Sequence, residues 1–466
     1  MLFGLLIIAA LGTTVTLSNR YFSPAELQDS FEKGQKLYAL GDFEKAIKRY
    51  KVVLDIESNA TIDVEQVSVT VGEFILPVRV AATYQLANTH NKLGLEKLQR
   101  SKFLENEGKI SESKKRYDEA RADLELSLEF FGRLLTDPSV EERTRVMAQY
   151  QILETNYELE DYDQVVIEAN KLINDFPNSV YETAAYYDLG WANYERGNFG
   201  DAIENFQAVL TLAPRGSRSD RALFQVAESY GKLEDHDRAL VYLDRLIDRY
   251  DFDTMTEEEL IQMTTMKLKG LVEETARELV AKAQLKKGDI FADRGLVEEA
   301  LVAYQVVPER YAAEAVLVEN SHYKVAELIH ESRGMDAAVS SYKSAITDVE
   351  SRRFQAKTQL TIARLMFDEG KYEDAAAEYR VYLSAYPDQA VRLGFQEDKV
   401  LLRLGNCFQF AGQDKSASDP DGSQALLDQG ITHYERLLEE YPESPLREDA
   451  VFGLGFTHQV KGNNDQ

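Results

Sequence analysis

One cysteine, Cys407, stands in 466 residues. That excludes an internal disulfide and any cysteine-built zinc or iron–sulfur centre. Proline is scarce at ten and glycine modest at 26, so little in the chain interrupts helix. Positive charge is also short. Lys and Arg number 53 against 80 Asp and Glu, a net charge of −27, which argues against a DNA- or RNA-binding surface. The six histidines, His90, His236, His322, His330, His433 and His458, form no His-x3-His pair and no His-Glu-x2-His, and read as ordinary polar or interfacial residues. Neither a Gly-rich phosphate loop ending in Lys-Ser/Thr nor a Gly-x-Ser-x-Gly elbow occurs. Asp419-Pro420-Asp421-Gly422 followed by Asp428 echoes a calcium loop, but Ala417 would hold the first ligand position, and a Pro/Asp-Gly turn accounts for the same residues. No catalytic residue, metal ligand or cofactor is expected, and the chain reads as a non-enzyme.

What is present begins with one long apolar run, Leu2 to Leu17. As a helix it spans about 24 Å, short of the roughly 30 Å hydrocarbon core. Residues 1–22 therefore read as a membrane anchor or as a secretory signal, with Ala10-Leu11-Gly12 as a small-x-small cleavage site. Either places the rest of the chain outside the cytosol, or at least against a membrane; in a bacterial cell envelope, that means anchored in the inner membrane with a periplasmic body, or secreted to the periplasm. The 44% hydrophobic content excludes a wholly disordered chain.

The remainder repeats one pattern. Residues 181–214 hold two amphipathic helical stretches around Arg196-Gly197-Asn198, stopped by Pro214. A small or near-small residue of the second helix recurs at Ala46, Val165, Ala202, Ala239, Ala300, Ala338, Ala375 and Gly430. A turn glycine recurs at Gly41, Gly197, Gly295, Gly334, Gly370, Gly412 and Gly462, and a closing proline at Pro138, Pro177, Pro214, Pro387 and Pro442. Val165, Ala202 and Ala239 are spaced by 37 and 37 residues, the mark of stacked repeats. Helix pairs are predicted at 26–56, 77–138, 141–177, 181–214, 217–250, 275–311, 314–349, 353–387 and 397–442. The first helix of a tenth follows at 445–461, as a cap or as part of a longer array. Three segments break the period: a β-hairpin within 59–76, a charged helical extension at 91–120, and a polar loop at 413–424. The expected organisation is a 1–22 anchor or signal, a first half of the array at 26–250, a helical spacer at 251–274 and a second half at 275–466.

The turns Gly41-Asp42-Phe43, Gly197-Asn198-Phe199 and Gly370-Lys371-Tyr372, each followed by Ala-x3-aromatic or its like and often by Pro, resemble the tetratricopeptide repeat family. The Pro-x-Ser joints Pro177-Asn178-Ser179 and Pro442-Glu443-Ser444 are similar to those of bacterial cell-envelope members, of the outer-membrane assembly subunit and Tol–Pal coordinator type. The resemblance implies an all-α, right-handed superhelical solenoid of stacked antiparallel helix pairs, whose first helices line a concave groove that binds protein segments. The positions that would face that groove hold Tyr150, Glu154 and Tyr157, then Tyr187, Trp191 and Tyr194, then Phe224 and Glu228. Trp191 is the chain's one tryptophan, beside 25 Tyr and 21 Phe, and aromatics favour interface centres. The basic clamp that docks carboxylate tails is missing: its positions hold Phe31, Gln35, Tyr84, Asn88, Tyr150 and Glu154, of which only Asn88 fits. The expected function is a non-enzymatic, membrane- or envelope-associated scaffold or adaptor, whose partner is a peptide segment or helix of an envelope protein. The alternatives are the sensing region of a longer protein with a C-terminal effector, and a cytosol-facing, membrane-tethered assembly factor.

Overall fold

The computed structural model describes residues 23–55, 66–72, 74–250, 252, 254–268 and 274–462. The anchor or signal segment and the start of the 59–76 insertion lie outside them. Among the described residues no helix is long and apolar enough to cross a membrane.

The chain divides into two compact units, Met1–Asp235 and His236–Gln466. The first holds α1 (Pro24–Ala39), α2 (Phe43–Leu54), strands β1 (Ser68–Val71) and β2 (Phe74–Pro77), α3 (Val78–Asn106), α4 (Ile110–Thr136), α5 (Glu142–Glu158), α6 (Tyr162–Asp175), α7 (Glu182–Glu195), α8 (Phe199–Leu212) and α9 (Ser217–Lys232). The second holds α10 (His236–Ile247), α11 (Glu257–Leu268), α12 (Ala276–Asp293), α13 (Val297–Arg310), α14 (Ala315–Arg333), α15 (Met335–Asp348), α16 (Arg352–Asp368), α17 (Tyr372–Ala385), α18 (Glu397–Lys415), α19 (Pro420–Glu440) and α20 (Arg447–Lys461). Among the described residues each is all-α but for the antiparallel β1–β2 hairpin of the first, in which Val69 pairs with Leu76. Within each unit most helices pack on the next along the chain, with α10 packing on α12, and these stacked pairs form the solenoid that the repeat pattern implies.

The repeated residues have identifiable work in this packing. A glycine in the first helix of a pair makes a notch, and an aromatic ring from the second fills it. A Cβ on Gly34 would meet Tyr50 at 2.6 Å, one on Gly190 would meet Phe206 at 2.7 Å, and one on Gly288 would meet Tyr304 at 2.4 Å. Ala46, Val165, Ala202, Ala239, Ala300, Ala338 and Ala375 are all fully buried, since their small size lets the helices close. The turn glycines Gly41, Gly197, Gly295 and Gly370 have φ between +72° and +79°, the left-handed conformation that ends the first helix. Pro138, Pro177, Pro214, Pro387 and Pro442 each stand two residues past a helix end, where the missing N–H costs nothing. Ser23, Asp42, Asp161, Thr275 and Ser351 cap helix N-termini through their side chains.

Two expectations are corrected. Gly412 is not a turn residue. It lies inside α18, where a Cβ would meet Leu427 at 2.7 Å. Nor is 413–424 a long polar loop, because α18 runs to Lys415 and α19 starts at Pro420. The Asp419 side chain accepts a hydrogen bond from the Gly422 amide at 3.0 Å and so caps α19. The charged extension at 91–120 lengthens α3 and α4 into a pair of 29 and 27 residues.

Candidate functional site

The eight candidate residues lie on α5, α7 and α9, first helices that pack side by side in the first unit. In α7, Ala184, Ala185, Leu189, Gly190 and Ala192 are buried against neighbouring helices. Helical spacing then gathers Tyr187, Trp191 and Tyr194 into one stripe. Trp191 stands edge-on to Tyr187 and Tyr194, with ring centroids 6.5 and 5.8 Å away. It also meets Phe206 edge-on at 6.3 Å, so it takes part in helix–helix packing as well as facing outward. Tyr187 is itself buried.

On α5, Tyr150 is buried and stacks on Tyr181 with centroids 4.4 Å apart and planes 15° apart. Its hydroxyl donates to Glu154 Oε1 at 2.5 Å. Tyr157 is half-buried and sits edge-on to Tyr162 at 6.1 Å. Burial raises the pKa of both phenols above the usual tyrosine value. On α9, Phe224 and Glu228 are half-buried. Burial, then Glu228 and Glu195, raise the Tyr194 phenol as well. The candidates of α5 and α7 thus place aromatic groups on two adjacent first helices, with Tyr150 and Tyr187 buried and Glu154 held by the Tyr150 hydroxyl.

Asp188 neighbours these residues and was missed by the sequence reading. It follows Tyr187 in α7, and its Oδ2 is closed off from solvent without a hydrogen-bond partner. Burial and then the Glu154 charge raise its pKa to about 8, with Arg218 of α9 acting against them. The available signal was an acidic residue two before the notch glycine Gly190, where a buried face is expected.

Two other features of the first unit compete for attention. A cleft of about 940 Å³ between α4 and the α5–α6 turn is lined by Arg121, Glu125, Asn156, Glu168, Lys171 and Arg196 among others, and holds none of the eight candidates. In the long α3–α4 pair, His90 Nδ1 lies 2.8 Å from Asp123 Oδ1, and Lys97 donates to Asp123 Oδ2 at 2.5 Å. Burial opposes ionisation of Asp123, but these two hydrogen bonds outweigh it and lower its pKa. Asp123 is thus paired with Lys97 inside the helix pair, while His90 Nε2 is buried without a hydrogen-bond partner.

Residues 183–215 and 221–251 each match the family model described as tetratricopeptide repeat. No curated protein matches the chain. Among solved structures, MamA is similar at 20% identity over 47% of this chain and 88% of its own, with a TM-score of 0.31. A tetratricopeptide repeat protein from Parabacteroides merdae is similar at 11% identity over 65% of this chain and 98% of its own, with a TM-score of 0.35. The apo form of RapI is similar at 9% identity over 89% of this chain and 98% of its own, with a TM-score of 0.42. The chain carries tetratricopeptide repeats.

Proposed function

We propose that this chain is a non-enzymatic protein-interaction scaffold that holds an extended segment or a helix of a partner protein against the first-helix face of α5, α7 and α9. One observation carries it: Tyr150, Tyr157, Tyr187, Trp191 and Tyr194 are gathered on neighbouring helices with Glu154 held among them. Aromatics bury much area for few rotatable bonds, and a pre-formed row of them spends little entropy on binding. With −27 charges overall, the favoured partner segment is neutral, aromatic or basic. The test is pull-down from source cells with wild type and Trp191→Ala, with helicity checked by circular dichroism. Partner capture should weaken by at least about 1 kcal/mol. Unchanged capture would retire the groove.

We place the scaffold at the cell envelope on the strength of the apolar Leu2–Leu17 run. An alkaline-phosphatase fusion after Gln466 should be active, and an inactive fusion with cytosolic protease protection would move the body to the other side of the membrane.

A further inference from the structure

The two units place different charges at one register position. Counting from the small residue of each first helix, Glu154 follows Leu153 as Asp289 follows Gly288, and Asp188 stands two before Gly190 as Lys324 stands two before Ala326. Both members of each pair come from adjacent first helices, α5 with α7 and α12 with α14. In the second unit the pair is complete. Lys324 Nζ donates to Asp289 Oδ1 at 2.7 Å, the Tyr304 hydroxyl donates to the same oxygen at 2.7 Å, and the ammonium lies 5.8 Å from the Tyr304 ring centroid. In the first unit the corresponding residues are two carboxylates. Glu154 is exposed and oriented by the Tyr150 hydroxyl, while Asp188 keeps Oδ2 sealed and without a donor. The groups facing Asp188 are Glu154, Tyr150 and Tyr157 from α5 and Arg218 from α9, and Arg218 is itself exposed.

We propose that Glu154 and Asp188, walled by Tyr150, Tyr157 and Tyr187, receive the ammonium or guanidinium of a lysine or arginine carried by the partner segment, supplying from outside the cation that Lys324 supplies from within. The inference rests on the groove function above and names the chemistry of its central contact. Three features favour a cation over a neutral group. Glu154 and Asp188 occupy the register positions whose counterparts bond at 2.7 Å in the second unit, and neither is a lysine; Asp188 is only partly buried and has one oxygen without a donor; and aromatic rings attract positive charge. A cation seated there stabilises ionised Asp188, so binding at neutral pH releases a proton, and affinity rises with pH up to about 8.

The experiment pans a displayed library of peptides against the full chain and measures synthetic versions of the recovered sequences by calorimetry. Each is compared with a copy whose lysines are acetylated or whose arginines are citrulline. Support consists of peptides that need Trp191, lose at least tenfold affinity when the charge is removed, and lose as much against Asp188→Asn or Glu154→Gln. Glu154→Gln alters an exposed side chain and serves if Asp188→Asn folds poorly. Asp188→Lys, which would close the pair internally as Lys324 does, should also abolish charged-peptide binding. Peptides that need Trp191 but bind equally with and without their charge would overturn this inference and leave the groove standing. Recovery of no Trp191-dependent peptide would overturn both.

Discussion

The α5–α7 face of the first unit and the α12–α14 face of the second share a backbone register and a packing code, yet differ in how they treat charge. Gly190 receives Phe206 as Gly288 receives Tyr304. At the matched charge positions, the second unit closes its carboxylate, Asp289, with Lys324 and Tyr304. The first unit sets Asp188 against Glu154 and leaves Asp188 Oδ2 without a donor. A buried polar atom without a partner costs about 1–3 kcal/mol. At this register position the first unit bears that cost and the second avoids it. The glycine notch filled by an aromatic ring recurs in both units, while the matched pairs Glu154/Asp289 and Asp188/Lys324 differ in charge.

The largest expected effect tests the shared half of the comparison. Phe206→Ala and Tyr304→Ala each empty a glycine notch, and each should cost about 3–5 kcal/mol. Trp191 fluorescence reports the first unit alone, because it is the one tryptophan, and hydrogen exchange of α12 and α13 amides reports the second. If one substitution is severe and the other mild, the units are not built on one packing code.

Next comes the ion pair. Lys324→Met keeps the aliphatic stem but removes the ammonium, leaving Asp289 with the Tyr304 hydroxyl. Both partners are about one-third exposed or less, so the loss should be about 1–2 kcal/mol, read as faster exchange in α12 and α14. It makes the second unit resemble the first. No measurable loss would mean that the difference in charge at this register has no energetic content, and the contrast with Asp188 would lose its force.

The pH dependence of the first unit sharpens the same contrast. Unfolded aspartate titrates near 3.8, and Asp188 in the fold is raised to about 8. Between these values the folded chain holds a proton that the unfolded chain has released. Asp188's contribution to the stability of the first unit should therefore be most favourable below about pH 4, fall as pH rises toward 8, and level off above it. Asp188→Asn removes this group's part of the slope and should raise the melting temperature at pH 8 while changing little at pH 4. The check is Trp191 fluorescence melting across that range. An identical slope in both proteins would show that Asp188 ionises in the fold as it does in water.

These outcomes follow the line between what was legible in the sequence and what was not. Gly190, Ala202, Phe206 and Pro214 each have a local job that any copy of the repeat must solve in the same way, so their recurrence exposed the helix pairs and their ends. The stripe Tyr187, Trp191 and Tyr194 was legible for the same reason, since helical spacing alone sets it on one face. Asp188 was not, because its state depends on Glu154 and Arg218, which sit on other helices and far away in sequence. Packing of Trp191 against Phe206 was hidden as well: it depends on the direction in which an indole leans, which residue spacing does not specify. The helix that begins at Pro420 was obscured by a polar composition that also suits a loop.

The smallest expected effect lies in the turns. Glu160, Gly197 and Glu234 are spaced by 37 and 37 residues and share one left-handed conformation, with φ of 58°, 79° and 59°. Each amide donates to the carbonyl three residues back, from Glu160 to Tyr157, from Gly197 to Tyr194 and from Glu234 to Gly231, at 2.9–3.0 Å. In the second unit every described residue with positive φ is glycine, whereas the first places glutamate there twice. A Cβ in this conformation costs about 1–2 kcal/mol, and glycine returns part of that as chain entropy lost on folding. Glu234→Gly should therefore stabilise the first unit by somewhat under about 1 kcal/mol. Glu160→Gly should give slightly less, because it also removes an exposed contact with Lys102 at 3.5 Å, a kind of ion pair worth little. Urea titration followed at Trp191 measures both. A gain at Glu234 with none at Glu160 would mean that the Lys102 contact, or the cleft that Glu160 lines, matters more than the turn, and would add a second place where the first unit holds strain beside a surface.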